Sequence, residues 1–106
     1  MARLVEVATA GEIPVGGRKS TNIDDLEIAI FNVDDEQFYA VEDVCSHDSG
    51  PLGEGEIINT YEVECPRHGA RFDIRTGKAL CMPAFEPIEA YPVVCKDGKI
   101  YIEIDW

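Results

Sequence analysis

Residues 26–44 read LEIAIFNV-DDE-QFYAVEDV, two β-rich runs on either side of the acidic turn Asp34-Asp35-Glu36. Branched and aromatic side chains crowd both runs, and a short polar break between such runs predicts a hairpin. The same logic applies to YPVVC-KDGK-IYIEIDW (91–106), where Asp97-Gly98 forms the tip. There Ile100, Ile102 and Ile104 alternate with Tyr101, Glu103 and Asp105, one buried face against one wetter face. Gly and Pro recur at Gly11, Pro14, Gly16, Gly17, Gly50, Pro51, Gly53, Gly55 and Pro66, too often for a long helix to fit between them. The expectation is an all-β domain of short antiparallel strands with at most one turn of helix.

A chain of 106 residues suits a single domain, with no repeat, low-complexity tract or linker to divide it. Nine Lys and Arg against twenty-one Asp and Glu leave a net charge of −12, which repels phosphate backbones and anionic lipid alike. Nucleic acid and membrane are therefore excluded as expected partners. The first residues, MARLVEVATAGEIPVGG, carry charge inside their apolar stretch and read as neither a secretory signal nor an anchor. A cytoplasmic location is expected, where thiols stay reduced and the four cysteines call for something other than a disulfide framework.

Two of those cysteines sit beside histidines. The stretch CSHDSGPLGEGEIINTYEVECPRHG (45–69) holds Cys45 with His47 and Cys65 with His68, seventeen residues apart, and these are the only two histidines of the chain. Both phrases follow strand-like runs, so a hairpin can bring the two loops to one end of a sheet. Two thiolates and two imidazoles satisfy either zinc or a 2Fe-2S cluster. The usual zinc finger pairs Cys with Cys and His with His, on a hairpin and a helix. A two-iron cluster is the simpler assignment: each loop offers one Cys and one His, the cysteines to one iron and the histidines to the other.

C-x-H, seventeen residues, then C-x-x-H followed by Gly69 resembles the Rieske 2Fe-2S family. The likeness extends to GARFDIRTGKAL (69–80), similar to that family's hairpin after the second ligand pair, and to the Pro83-containing loop CMPAFEPI (81–88), which in the family covers the cluster. It embraces roughly residues 27–105. The resemblance implies a Rieske-like fold over 1–106, with a cluster-binding part at about 43–85. It implies one 2Fe-2S cluster held at one tip by Cys45, His47, Cys65 and His68. Such mixed ligation places family potentials at roughly −150 to +300 mV, against about −400 mV for an all-cysteine plant-type cluster.

The histidine count selects among branches of the family. A ring-hydroxylating oxygenase needs further histidines for its mononuclear iron, which this chain lacks. Respiratory Rieske proteins carry an extra cysteine in each cluster loop; Gly50 and Arg67 stand at those positions here. What remains is similar to a free-standing Rieske ferredoxin, a carrier rather than an enzyme. In the family it takes electrons from a flavin-dependent reductase to a terminal oxygenase. The alternatives are the small subunit of an assimilatory nitrite reductase, of similar fold but generally without the ligands, and a structural zinc module.

Other residues receive plainer readings. Cys95 is expected as a buried core thiol and Cys81 as a packed free thiol, with a redox part near the cluster as the alternative for Cys81 and no disulfide between the two; Tyr91 and Trp106 read as core or edge aromatics. Asp43 and Asp48, which flank the first Cys-His pair, read as solvated loop acids, with tuning of the cluster as the alternative. Arg67, Arg71, Arg75 and Lys78 read either as a solvated hairpin face or as a basic collar that orients the cluster end toward a partner. His47 and His68 are expected to be partly exposed, with Leu52 and Pro83 as apolar cover. High-potential members of the family resemble one another in a Ser and a Tyr whose positions here hold Ala70 and Phe72, which implies a potential toward the low end of the family's window.

Overall fold

The computed structural model describes residues 2–34, 37–43, 55–65, 69–81 and 86–105. Strands β1 (Ala2–Thr9), β2 (Arg18–Ile23), β3 (Leu26–Asp34), β4 (Gln37–Glu42), β5 (Glu56–Ile58) and β6 (Glu62–Glu64) are followed by β7 (Arg71–Asp73), β8 (Ala79–Cys81), β9 (Ala90–Tyr91), β10 (Val93–Lys96) and β11 (Lys99–Asp105). A single 3-10 turn at Ala10–Glu12 is the only helical element among the described residues. The strands form three antiparallel sheets, ordered β1-β11-β10, β2-β3-β4-β9 and β5-β6-β7-β8.

Both hairpins expected from the sequence are present. β3 pairs with β4, with a register shift between Asn32 and Asp34, and β10 pairs with β11 from Lys96↔Lys99 outward. Asp97 and Gly98 take φ values of 53° and 75°, as a two-residue turn that follows the twist of its strands requires.

The middle sheet is buried on both faces. Ile28 and Ile30 of β3, with Phe38 and Ala40 of β4, pack against Ile100, Ile102 and Ile104 of β11. The residues between them, Ala29, Phe31 and Val41, pack the opposite way against Val63 of β6 and Phe72 of β7. Residues 28–31 are therefore apolar without interruption because both sides of the strand lie in cores there. One core joins the middle sheet to β11, and the other joins it to the β5–β8 sheet that carries the second Cys-His phrase.

Candidate metal centre

β4 leads directly into the first Cys-His phrase. Beyond its last residue, the amide of Asp43 donates to the carbonyl of Glu27 (2.8 Å), extending the pairing with β3 toward Cys45. Cys45, His47 and Asp48 lie outside the described residues, as do Leu52, Arg67, His68, Pro83 and Trp106. Asp43 itself is buried, 7% exposed. The solvated loop acid expected there is thus corrected: the pairing with β3 continues past the end of β4 and leaves this residue buried.

The second phrase sits in the turn between β6 and β7. Glu64 faces Arg71 across the pair, and the next residues close the turn: the Cys65 amide donates to the Ala70 carbonyl (2.7 Å) and the Gly69 amide to the Cys65 carbonyl (3.1 Å). Gly69 has φ +75°, a conformation glycine adopts without penalty, and its role in the turn is this backbone angle. Cys65 is 1% exposed and packs in one cluster with Ala70, Phe72 and Val63, all fully buried. Its thiol is not part of a disulfide.

This environment fits an iron ligand. A thiolate so far from water needs a counter-charge, which bound iron would supply. Two thiolates and two imidazoles neutralise two ferric ions and two sulfides, so the complete donor set would bring no net charge into the apolar wall. Among the described residues, no group of three or more His, Cys, Asp or Glu could hold an ion by itself. A centre of four ligands built on Cys65 therefore has to draw at least part of its donor set from outside the described residues.

The remaining cysteines differ from expectation. Cys81 is exposed at the end of β8, where it pairs with Arg71, and its Sγ donates to the Gly69 carbonyl at 3.5 Å. The packed thiol expected there lies instead on the solvent side of an edge strand, against the residue that follows His68. Cys95 is exposed too, and the buried core thiol is corrected. Its partner Ile100 is fully buried, yet Cys95 lies on the edge strand β10 one pair from the hairpin tip, past the rim of the core. No disulfide joins Cys81 and Cys95.

The basic residues are held by acids. Arg71 Nε donates to Glu64 Oε2 (3.1 Å), and Arg75 donates through Nε and Nη2 to both oxygens of Asp73 (3.2 and 3.1 Å) while its guanidinium lies 4.2 Å from the Tyr61 ring centre. Burial pushes the Asp73 carboxyl up, but hydrogen bonds from the Arg75 side chain and amide more than offset this and leave it below its ordinary range. A collar of uncompensated positive charge is thus reduced, among the described residues, to exposed Lys78. Tyr91 is half-buried on the edge strand β9, as expected; burial, then the carboxylates of Glu42 and Glu89, raise its hydroxyl pKa.

The Rieske [2Fe-2S] domain matches residues 3–92. The 3-phenylpropionate/cinnamic acid dioxygenase ferredoxin subunit of Photorhabdus laumondii subsp. laumondii is 48% identical over 98 residues, covering 92% of this chain and 91% of that one. Among solved structures, the ferredoxin of carbazole 1,9a-dioxygenase from Nocardioides aromaticivorans IC177 superposes with a TM-score of 0.88 at 33% identity, covering 93% and 95% of the two chains. A ferredoxin chain in a complex of reduced oxygenase and oxidized ferredoxin in carbazole 1,9a-dioxygenase gives 0.85 at 32% identity over 93% and 91%. A protein described as a nitrite reductase NADPH small subunit shares the fold, with a TM-score of 0.82 over 94% and 97%, at only 19% identity. The buried Cys65 turn, the three antiparallel sheets and these matches agree: the chain belongs to the Rieske [2Fe-2S] domain family.

Proposed function

We propose that this protein is a one-electron carrier, a Rieske ferredoxin that accepts electrons from a flavin-dependent reductase and delivers them to a terminal oxygenase. The observation that carries this reading is the 48% identity, over nine-tenths of both chains, with a dioxygenase ferredoxin subunit. The protein is an electron-transfer component and not the catalyst. The nitrite reductase small subunit remains the weaker reading, since a 19% identical structure supports the fold alone.

In this reading residues 1–106 form one domain, and Cys45, His47, Cys65 and His68 in its 43–85 part hold one 2Fe-2S cluster. When bound, such a cluster takes up a single electron and returns it, at a potential raised by its two imidazole ligands. The chain's own residues fix the ligands and exclude water. The Cys65–Ala70 hydrogen bond locks the second turn, and Ala70 and Phe72 pack apolar surface beside the Cys65 thiol. A cytoplasmic location suits the reading; among the described residues, no helix is long and apolar enough to cross a membrane.

The test is reconstitution. The protein is mixed with a flavin-dependent ferredoxin reductase and a terminal dioxygenase, and substrate oxidation driven by the reductase is followed with and without the carrier. Turnover that requires the protein, and its reduction by one electron per chain, are the expected results. Turnover that is equal without it, or a chain that cannot be reduced, would overturn the proposal.

A further inference from the structure

The first Cys-His phrase continues from β4 of the middle sheet, while the second sits between β6 and β7 of another sheet. Four donors on two separate sheets converge only if those sheets hold a fixed spacing. The segment just after residues 82–85 crosses the seam between them. Ile88 donates its amide to the Gly77 carbonyl (2.8 Å), in the turn linking β7 and β8. The next residue turns the other way: the Glu89 carbonyl accepts from the Glu42 amide (2.8 Å), and the Glu89 amide donates to Glu42 Oε1 (3.0 Å). Ala90 then pairs with Val41 in β4, and the Ile88 side chain fills the core between the two sheets.

Gly77 sets how close this crossing lies. It has φ +82°, and a β-carbon there would stand 1.9 Å from the Ile88 carbonyl oxygen and 2.9 Å from its carbon. That neighbour is backbone and cannot rotate aside. The Gly77 amide is itself bonded to the Asp73 carbonyl (2.7 Å), so the turn cannot retreat without breaking the end of β7. Glu42, three residues before Cys45, grips the same crossing from the opposite sheet.

We propose that Gly77 and Glu42 are positioning residues for iron retention, joined through Ile88 and Glu89 into a tie that sets the spacing of the two ligand-bearing sheets. The inference rests on the ligand reading above and names residues outside the ligand set. Loss of the tie at either end lets the sheets part and speeds release of iron, ahead of global unfolding.

The experiment uses purified iron-loaded protein, with loss of visible absorbance in excess chelator as the readout and exchange of the Ile88 and Glu89 amides measured alongside. Gly77→Ala and Glu42→Ala should each release iron about tenfold faster, the scale of one lost hydrogen bond with its partner left unpaired. Glu42→Gln keeps an oxygen acceptor and should hold iron like the parent. Ile102→Ala, in the other core, serves as a control of reduced thermal stability and should leave iron release unchanged at 25 °C. Parent-like release from Gly77→Ala and Glu42→Ala, or release from Ile102→Ala as fast as theirs, overturns the tie; should Gly77→Ala not fold, the Glu42 pair decides it alone. A parent protein that holds no iron would instead overturn the ligand reading, and the tie with it.

Discussion

Ala70, in the turn after Cys65, and Phe72, on β7, are both fully buried and pack in one core with Cys65, a ligand in the reading proposed above. Neither side chain can donate a hydrogen bond to sulfur, and such bonds favour the reduced state by draining negative charge. The midpoint is therefore expected low in the window of roughly −150 to +300 mV. Ala70→Ser with Phe72→Tyr should raise it, as protein-film voltammetry would record. A new hydroxyl left unpaired in this wall costs about 1–3 kcal/mol, so stability lost with an unmoved midpoint would contradict the explanation. Asp73 offers a second test. Its folded pKa lies below the ordinary carboxylate value, so the Asp73–Arg75 pair stabilises at neutral pH and loses that contribution as pH falls through the folded value. Arg75 is half-exposed, so Asp73→Asn should cost only about 1 kcal/mol at pH 7. The gap from the parent in thermal midpoint should narrow on acidification below about pH 4. A gap that widens there would be the wrong sign.

At the scale of elements, β3 decides what the sequence could and could not reveal. Its pairing with β4 was legible, because a polar break divided two β-rich runs. Its place between two cores was not: when both faces of a strand are buried, the two-residue alternation that assigns faces disappears. Alternation misled in the opposite way at Cys95, where the pattern continued past the end of the core. Asp43 was misread because its burial depends on an amide bond to Glu27, sixteen residues earlier in the chain. The Cys-His phrases announced their chemistry by residue type and spacing, whereas the tie through Gly77 arises from tertiary contact; its one local signal was a glycine inside the turn Thr76-Gly77-Lys78. The two faces of β3 can be told apart by mutation. Ile30→Ala and Phe31→Ala should cost about 2–5 and 3–5 kcal/mol, since both side chains are fully buried. Only Phe31 shares a core with Cys65, so only its loss should also speed iron release. Equal release from both would deny that the two cores are separate.

The whole molecule is a slab of 39 × 30 × 17 Å carrying a net charge of −12. With Arg71 and Arg75 bonded to Glu64 and Asp73, little of the described surface near the second ligand turn offers free positive charge, so attraction of a partner falls to the acidic field of the body. Reduction by the flavin reductase should therefore slow as salt rises from about 0.01 to 0.15 M, where the screening length shrinks from about 30 to 8 Å. A rate indifferent to salt would remove electrostatic steering and leave the ligand assignment intact. That assignment is the centre of the account, because charge, fold and packing acquire a purpose only if the two Cys-His phrases share one cluster. The direct measurement is electron paramagnetic resonance of the reduced protein, with iron and acid-labile sulfide determined on the same sample. The account expects two irons and two sulfides per chain, as the family's [2Fe-2S] cluster requires, and a rhombic signal with the low average g-value of nitrogen-ligated clusters, abolished by His47→Ala or His68→Ala and kept in Cys95→Ser. Stoichiometric zinc without sulfide, or a signal that survives loss of either histidine, would contradict it.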